Sequence, residues 1–143
     1  MFTGEYQHTL DAKGRVIIPS RLRDGLGERF FITRGLDHCI FAYPAEEFEV
    51  LQKKLKSFPM TKGDSRAFVR LILAGAMEVE IDKQGRVLVP QYLRDYAQVE
   101  KEVMILGVGE RVEIWSEKAW KDYFTVIDGN YEELAEKMAD FEQ

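Results

Sequence analysis

The stretch DAKGRVIIPSRLRD at residues 11–24 recurs as DKQGRVLVPQYLRD at residues 82–95. The two segments are identical at 8 of 14 positions, and Ile/Leu and Ile/Val exchanges account for two more. Average residue usage would produce roughly one identity by chance. An Asp, a Gly, an Arg and a Pro therefore recur at a fixed offset of 71 residues. This duplication predicts one surface that is built twice.

Each copy contains a four-residue Asp-x-x-Gly segment between two short stretches of alternating polarity, at 6–10 and 15–18 and again at 77–81 and 86–89. Asp is favoured at the first position of a type I turn because its carboxylate accepts backbone N–H groups, and Gly is favoured at the last. Asp11 and Gly14 fit these positions, as do Asp82 and Gly85. We therefore expect a β-hairpin in each repeat, with these four residues shaping its turn.

The similarity between the repeats extends beyond the turns. Pro19 and Pro90 suit the start of a short helix, where a missing N–H costs nothing. Gly25 and Gly27 then fit the end of the first of these helices better than a nucleotide-binding loop. Paired strands are expected at 30–33 with 39–42, and at 103–106 with 112–115. A helix should close each unit, with Phe48, Leu51 and Leu55 on one stripe in the first unit and an N-cap at Ser116 in the second.

Residues 57–64 have the composition of a linker, and Asp64 is a candidate cap for a helix to about residue 74 with Phe68, Leu71 and Ile72 buried. At the C-terminus, an apolar stripe with 3-4-3 spacing lies on an otherwise acidic helix and comprises Tyr131, Leu134, Met138 and Phe141. Such stripes usually face a core, so we favour packing on the chain's own domain over a contact between subunits.

Composition restricts the class of protein. The chain has 143 residues, of which 45% are hydrophobic, and this fits one compact body with a real core. It contains no apolar run of bilayer length and no secretory leader pattern, and Cys39 is its only cysteine. We therefore expect a reduced cytoplasmic location and no membrane partner. The net charge is −5, but residues 1–75 carry 12 Lys/Arg against 9 Asp/Glu, so a basic face remains possible on an acidic protein.

Arg15 and Arg86 are the strongest functional candidates, because each follows a tight turn at the start of a strand and a turn does not require Arg there. Arg offers a planar fork for phosphate or for the O6/N7 edge of guanine. Further basic residues surround them, namely Lys13, Arg21, Arg23, Lys83 and Arg94. These residues predict a nucleic-acid surface. The alternative is that each Arg only pairs with the Asp of its own turn.

Other chemistry has little support in the sequence. Asp11 and Asp82 as an acid–base pair would need close carboxylates with separated pKa values, and turn-capping Asp is normally ionised. His38 beside Cys39 offers too few ligands for a metal site, and His8 in an alternating strand fits a surface or hydrogen-bonded histidine. Trp115 and Trp120 fit a core. We expect no enzymatic activity, no cofactor, no metal and no small-molecule substrate.

The segments MFTGEYQHTLDAKGRVIIPSRLR, DKQGRVLVPQYLRDYA and VEIWSEKAW closely resemble the MraZ family of bacterial transcriptional regulators, and the likeness covers nearly the whole chain. The resemblance implies an α+β fold of two fused, tandem SpoVT-AbrB units, with swapped hairpins that form a small β-barrel-like core with short flanking helices. The expected parts are a first repeat at 1–56, a linker and connecting helix at 57–76, a second repeat at 77–127 and a C-terminal amphipathic helix at 128–143.

The same resemblance implies a function. The protein would self-associate into a ring, associate with the nucleoid and bind short direct repeats of double-stranded DNA in the promoter of the division and cell-wall gene cluster. Arg15 and Arg86 would contact that DNA, supported by the neighbouring basic residues. Tyr92 stands in the second repeat where the first has Arg21, so the second basic surface is thinner. The alternative is a scaffold that captures a protein partner through its acidic C-terminal helix.

Overall fold

A computed structural model describes residues 1–141 of the chain. In this range the fold is α+β, with eight strands and six helices. The strands are β1 Phe2–Thr9, β2 Arg15–Ile17, β3 Arg29–Arg34, β4 Ile40–Pro44, β5 Met77–Glu80, β6 Arg86–Leu88, β7 Glu102–Gly109 and β8 Val112–Ser116. The helices are α1 Ser20–Leu26, α2 Ala45–Lys56, α3 Gly63–Ala74, α4 Gln91–Tyr96, α5 Glu117–Gly129 and α6 Tyr131–Met138, followed by a 3₁₀ turn at Ala139–Phe141.

Six strands form one antiparallel sheet in the order β1-β7-β8-β4-β3-β5, and β2 pairs with β6 in a separate two-stranded ribbon. The expected barrel-like core is therefore wrong in one respect, because the sheet is open between β1 and β5. The apolar face of the sheet is covered by the ribbon and by two short helices. Val16 and Val87 of the ribbon and Leu22 and Leu93 of α1 and α4 share one buried cluster with residues of the sheet.

The strands on either side of each turn do not pair with each other as a simple hairpin would require. β1 pairs with β7, and its equivalent in the second repeat, β5, pairs with β3. β2 likewise pairs with β6 rather than with β1. Each repeat thus supplies strands to the other, and the buried Val16 lies opposite the buried Val87. The two repeats form one body because neither can complete its sheet alone.

The second strand pair of each repeat is confirmed, since β3 pairs with β4 and β7 pairs with β8. β4 also pairs with β8, which joins the two repeats at the centre of the sheet. Phe30, Ile32 and Ile105 are fully buried there. Trp115 is buried in a smaller cluster with partly buried Trp120, as its expected core position requires.

The helices follow the sequence closely at their ends. α1 and α4 begin directly after Pro19 and Pro90, and α1 ends just before Gly27, whose φ of 85° favours glycine. Ser116 caps α5 by accepting the backbone N–H of Ala119, as expected.

The helix after the linker differs from its prediction. α3 begins at Gly63, so Asp64 lies in its first turn and is not its cap. Ile72 is buried as expected, but Leu71 is 55% exposed. Only one edge of α3 contacts the sheet, so its buried stripe is narrow. The helical period of the sequence does not reveal that width.

The C-terminal stripe is exposed. Tyr131 is 72% exposed, Met138 53% and Phe141 78%, and Leu134 is 41% exposed. The expectation that this stripe packs on its own domain is wrong, because α6 buries no residue. No helix among residues 1–141 is long and apolar enough to span a bilayer.

Candidate nucleic-acid interface

The two Asp-x-x-Gly turns have nearly the same geometry. In the first turn, Asp11 Oδ1 accepts the backbone N–H groups of Lys13 and Arg15, each at 2.9 Å, and Gly14 N donates to Asp11 O at 3.0 Å. Asp82 makes the equivalent three contacts with Gln84, Arg86 and Gly85 at 2.9, 2.9 and 3.0 Å. Gly14 and Gly85 have φ of 85° and 80°. Each carboxylate therefore organises a tight turn that requires glycine at its fourth position.

The same carboxylates hold the two candidate arginines. Arg15 Nε donates to Asp11 Oδ2 at 2.7 Å, and Arg86 Nε donates to Asp82 Oδ2 at 2.9 Å. Asp11 Oδ2 also lies 4.0 Å from an Nη atom of Arg86, so the two turns are close to each other. The arginine side chains remain 29% and 26% exposed. Local Asp–Arg pairing is thus present in both repeats.

This pairing leaves most of each guanidinium available. A guanidinium has five N–H donors, and the hydrogen bond from Nε uses one of them. Among residues 1–141, the Nη groups of Arg15 and Arg86 make no hydrogen bond to the protein. The carboxylate at Nε fixes the direction of the fork and lowers its rotamer freedom before any ligand arrives, which reduces the entropic cost of binding.

Both turn carboxylates are ionised at neutral pH. The backbone N–H of Arg15 is the largest cause that lowers the pKa of Asp11, and the side chain of Arg15 lowers it further. Arg86 lowers the pKa of Asp82 in the same way. Because both pKa values are lowered, the resulting stabilisation is complete above the ordinary Asp pKa and is lost as pH falls through the lowered values. Neither group has the raised pKa that a general acid needs at neutral pH.

The ribbon of β2 and β6 presents the arginines on one face. Val16 lies opposite Val87 in the ladder, Arg15 lies opposite Leu88, and Ile17 lies opposite Arg86. Because Arg15 and Arg86 are equivalent, as are Ile17 and Leu88, an approximate two-fold axis passes through the valine pair. Both valines are 1% exposed, whereas Ile17 is 41% and Leu88 55% exposed. The inner face thus anchors the ribbon in the core and the outer face carries two arginines and two apolar side chains.

Arg23 and Arg94 have a role that the sequence analysis did not identify. Arg23 Nε donates to Ile18 O at 2.7 Å, and its guanidinium packs on Gly85 of the other repeat. Arg94 Nε likewise donates to Val89 O at 2.9 Å, and the guanidinium of Arg94 packs on Gly14 of the first repeat. Each arginine therefore braces the turn of the opposite repeat. The signal available in the sequence was that both the arginines and the glycines recur at the same offset.

The remaining basic residues are exposed near the ribbon. Lys13 and Lys83 lie on the two turns, and Arg21 lies on the outer side of α1. The seven predicted basic residues thus lie on or around the ribbon and its two turns. Lys13, Lys83, Arg21, Arg15 and Arg86 face solvent or lie on the ribbon face, and Arg23 and Arg94 pack across the turns. Among the described residues, no group of three or more His, Cys, Asp and Glu side chains is arranged to hold a metal ion.

A family model described as "MraZ protein, putative antitoxin-like" matches this chain twice, over residues 1–71 and 72–142. The chain belongs to the MraZ family. A protein from Carboxydothermus hydrogenoformans is 59% identical over 141 residues, which cover 99% of both chains. Relatives from Pelotomaculum thermopropionicum and Acetivibrio thermocellus are 56% and 58% identical, over 98% and 97% of this chain and 97% of each relative. All three relatives carry the name "Transcriptional regulator MraZ".

The two matches of the MraZ model begin 71 residues apart, the same offset as the repeated turns. The internal duplication is therefore a property of the whole MraZ unit and not only of its turn. Positions at which the two units carry different residues therefore indicate where the roles of the units differ. Tyr92 replaces Arg21 beside the second turn, and its hydroxyl donates to Gly75 O at 2.8 Å.

Replacement of Gly85 by Ala is expected to destabilise this MraZ-type ribbon. A Cβ atom at Gly85 would overlap the guanidinium of Arg23, and the φ of 80° is strained for alanine by about 1–2 kcal/mol. We expect a drop of at least that size in the free energy of unfolding, measured by urea denaturation. Gly109→Ala is the matched control, because Gly109 has a φ of 90° but open space around its Cβ position. Equal losses in the two variants would show that the contact with Arg23 contributes nothing.

Proposed function

We propose that this chain is a transcriptional regulator that binds double-stranded DNA in a sequence-specific manner through the ribbon of β2 and β6. The observation that carries the proposal is the joint ribbon itself, which sets Arg15 and Arg86 diagonally across one face with their forks oriented by Asp11 and Asp82. An antiparallel two-stranded ribbon fits the major groove of B-DNA, where arginine can make bidentate contacts to guanine O6 and N7.

The positive charge around the ribbon favours a polyanionic ligand, although the protein as a whole is acidic. Each turn carries one Asp and two basic residues, Lys13 with Arg15 and Lys83 with Arg86, and Arg21 adds a further positive charge on the first side. In our proposal the lysines and Arg21 contact backbone phosphates, which supply most of the affinity of such interfaces. Arg23 and Arg94 hold the turns in place, and Asp11, Gly14, Asp82 and Gly85 give them their shape.

We further propose that the two halves are fused SpoVT-AbrB-type units, with the first repeat at 1–56, the second at 77–127, a connecting segment at 57–76 and a C-terminal segment at 128–143. The amphipathic helix expected in that last segment corresponds to α6, and residues 142 and 143 lie outside the described part of the chain. The exchange of strands between repeats is compatible with the interleaved hairpins of that fold type. The proposed function involves no cofactor, and its place in the cell would be the nucleoid.

Self-association into a ring is the second part of the proposal. A chain with two similar but unequal halves can join its neighbour head to tail, and such contacts close into rings when the rotation allows. The exposed apolar residues Tyr131, Leu134 and Met138 on α6 offer a surface for this contact. Several ribbons would then bind short direct repeats together, in the promoter of the division and cell-wall gene cluster, and avidity would offset the unfavourable net charge.

The same exposed helix also suits a second function, in which the protein body is a scaffold and α6 captures another protein. Its apolar stripe is accompanied by Glu132, Glu133 and Glu136, so that partner would be a basic amphipathic surface. Removal of residues 131–143 separates the two possibilities. Loss of a partner with unchanged self-association and DNA binding favours the scaffold.

Selection from a pool of random duplexes tests the DNA-binding proposal directly. The protein is expected to enrich a short motif in tandem copies, and footprinting upstream of its own gene should locate the same motif. Absence of any enriched sequence would remove the proposed function.

Binding to the selected duplex should weaken steeply with salt. The slope of log K against log salt is expected to be about −0.9 for each phosphate that a subunit neutralises. Lys13→Gln and Lys83→Gln should each reduce the slope by about that amount, because each removes one phosphate contact. Lys53→Gln on the exposed side of α2 is the control. A slope near zero for the unaltered protein would contradict an electrostatic interface.

A further inference from the structure

A groove of about 370 Å³ opens beside the first-repeat end of the ribbon. Ser20, Arg21 and Arg23 of α1 line one side of it, and Tyr6 and His8 of β1 line another. Ile17, an outward residue of the ribbon, forms part of the same wall. A ligand that lies along the ribbon face therefore passes directly over the groove.

The groove is positively charged. It is lined by two arginines and, among the described residues, by no carboxylate. Arg21 is exposed and has no ion pair or hydrogen bond to residues 1–141, so its guanidinium is available to a ligand. Burial and the charge of Arg23 lower the pKa of His8, so His8 is neutral at pH 7 and the arginines supply the charge. A single anionic group with several oxygen acceptors matches this lining.

The second repeat keeps a counterpart of Arg23, namely Arg94, but has no counterpart of the exposed Arg21. Tyr92 occupies the position of Arg21, its hydroxyl is bound to Gly75 O, and the guanidinium of Arg34 lies 5.7 Å from its ring centre. Val79 occupies the position of His8 and is buried in the pairing of β5 with β3. The groove thus breaks the approximate two-fold symmetry of the ribbon on one side only.

The difference between the two ends of the ribbon is important because the ribbon face itself is nearly symmetric. Arg15 and Arg86, and Ile17 and Leu88, exchange places across the axis through Val16 and Val87. A face of this kind accepts a DNA site in either of two opposite orientations with similar contacts. An additional contact at one end is needed if each subunit is to lie in a single direction on its site.

We propose that the groove binds one phosphate of the DNA backbone through Arg21 and Ser20, and that this contact fixes the direction in which the ribbon lies on DNA. The inference rests on the proposed DNA-binding function and adds a phosphate site and an orientation to it. A subunit with a fixed direction binds tandem copies in the same sense, so the groove accounts for a preference for direct over inverted repeats.

Site-directed DNA cleavage tests the orientation. A cysteine introduced as Ala12→Cys on the exposed first turn carries an iron chelate, which cleaves the DNA strands nearest to that turn. Cys39 does not interfere, because it is fully buried and burial raises the pKa of its thiol. The substrate is a duplex that carries one copy of the repeat recovered by selection. The otherwise unaltered protein is expected to cleave at one end of this site.

Arg21→Gln, in the same labelled protein, is expected to give cleavage of similar strength at both ends and a salt slope smaller by about 0.9 per bound subunit. Arg66→Gln removes the same charge from exposed α3 and should retain one-sided cleavage. One-sided cleavage in the Arg21→Gln protein, or two-sided cleavage before that change, overturns the inference while the DNA-binding proposal stands. Failure of the unaltered protein to bind any selected duplex overturns both.

Discussion

The double variant Arg15→Ala/Arg86→Ala is expected to fold normally and to lose specific DNA binding. Each bidentate contact of an arginine with guanine contributes about 1–3 kcal/mol, so removal of both weakens binding by roughly 30-fold to 10⁴-fold per subunit. The fold should survive because each turn Asp still accepts two backbone N–H groups after the side chain is removed. Gel shift or fluorescence anisotropy with the selected duplex measures the loss, and circular dichroism checks the fold.

Arg66→Ala/Arg70→Ala is the matched control for this experiment. Both residues are exposed on α3 and lie outside the ribbon, so this variant removes the same charge without touching the proposed interface. It should bind within a few-fold of the unaltered protein. If both double variants bind equally well, the ribbon is not the DNA surface.

The variant Leu134→Glu/Met138→Glu is expected to dissociate the proposed ring and to lower affinity for tandem repeats. Both side chains are exposed in the single chain, at 41% and 53%, so the charges cost little within one subunit. At a subunit contact, however, they would place unpaired carboxylates against apolar groups. Linked binding modules exceed single-site affinity by about 10²–10⁴, and we expect a loss in that range for DNA with several repeats.

Light scattering gives the mass of the assembly, and binding to a duplex with one repeat gives the intrinsic affinity, which should be unchanged. The exchange Leu134→Met/Met138→Leu keeps the face apolar and should preserve both the ring and the avidity. If the acidic variant keeps the mass of the unaltered protein, α6 is not the contact, and the scaffold alternative for this helix gains support.

Local features of the fold were readable from the sequence because they depend on neighbouring residues. The turns at Asp11 and Asp82, the starts of α1 and α4 after proline, and the Ser116 cap each involve groups within four positions of one another. The duplication also located the arginines, since its offset repeats the residue after each turn.

Strand pairing was not readable, because it is decided by burial between distant residues. A turn closed by Asp11 and Gly14 suggests that its flanking strands pair with each other, yet β2 pairs with β6. The pairing of Val16 with Val87 buries both side chains, and alternation within 15–17 does not specify which partner achieves this. The braces made by Arg23 and Arg94 depend on that pairing and were missed for the same reason.

The composite ribbon also affects how the duplicated halves can change over generations. After an ordinary gene duplication, one copy is free to accumulate substitutions while the other maintains the original task. Here β2 and β6 come from different halves, and each half holds the other's turn through Arg23 or Arg94. A damaging substitution in either half reaches the same working surface, so the two halves cannot change independently at the ribbon and its turns.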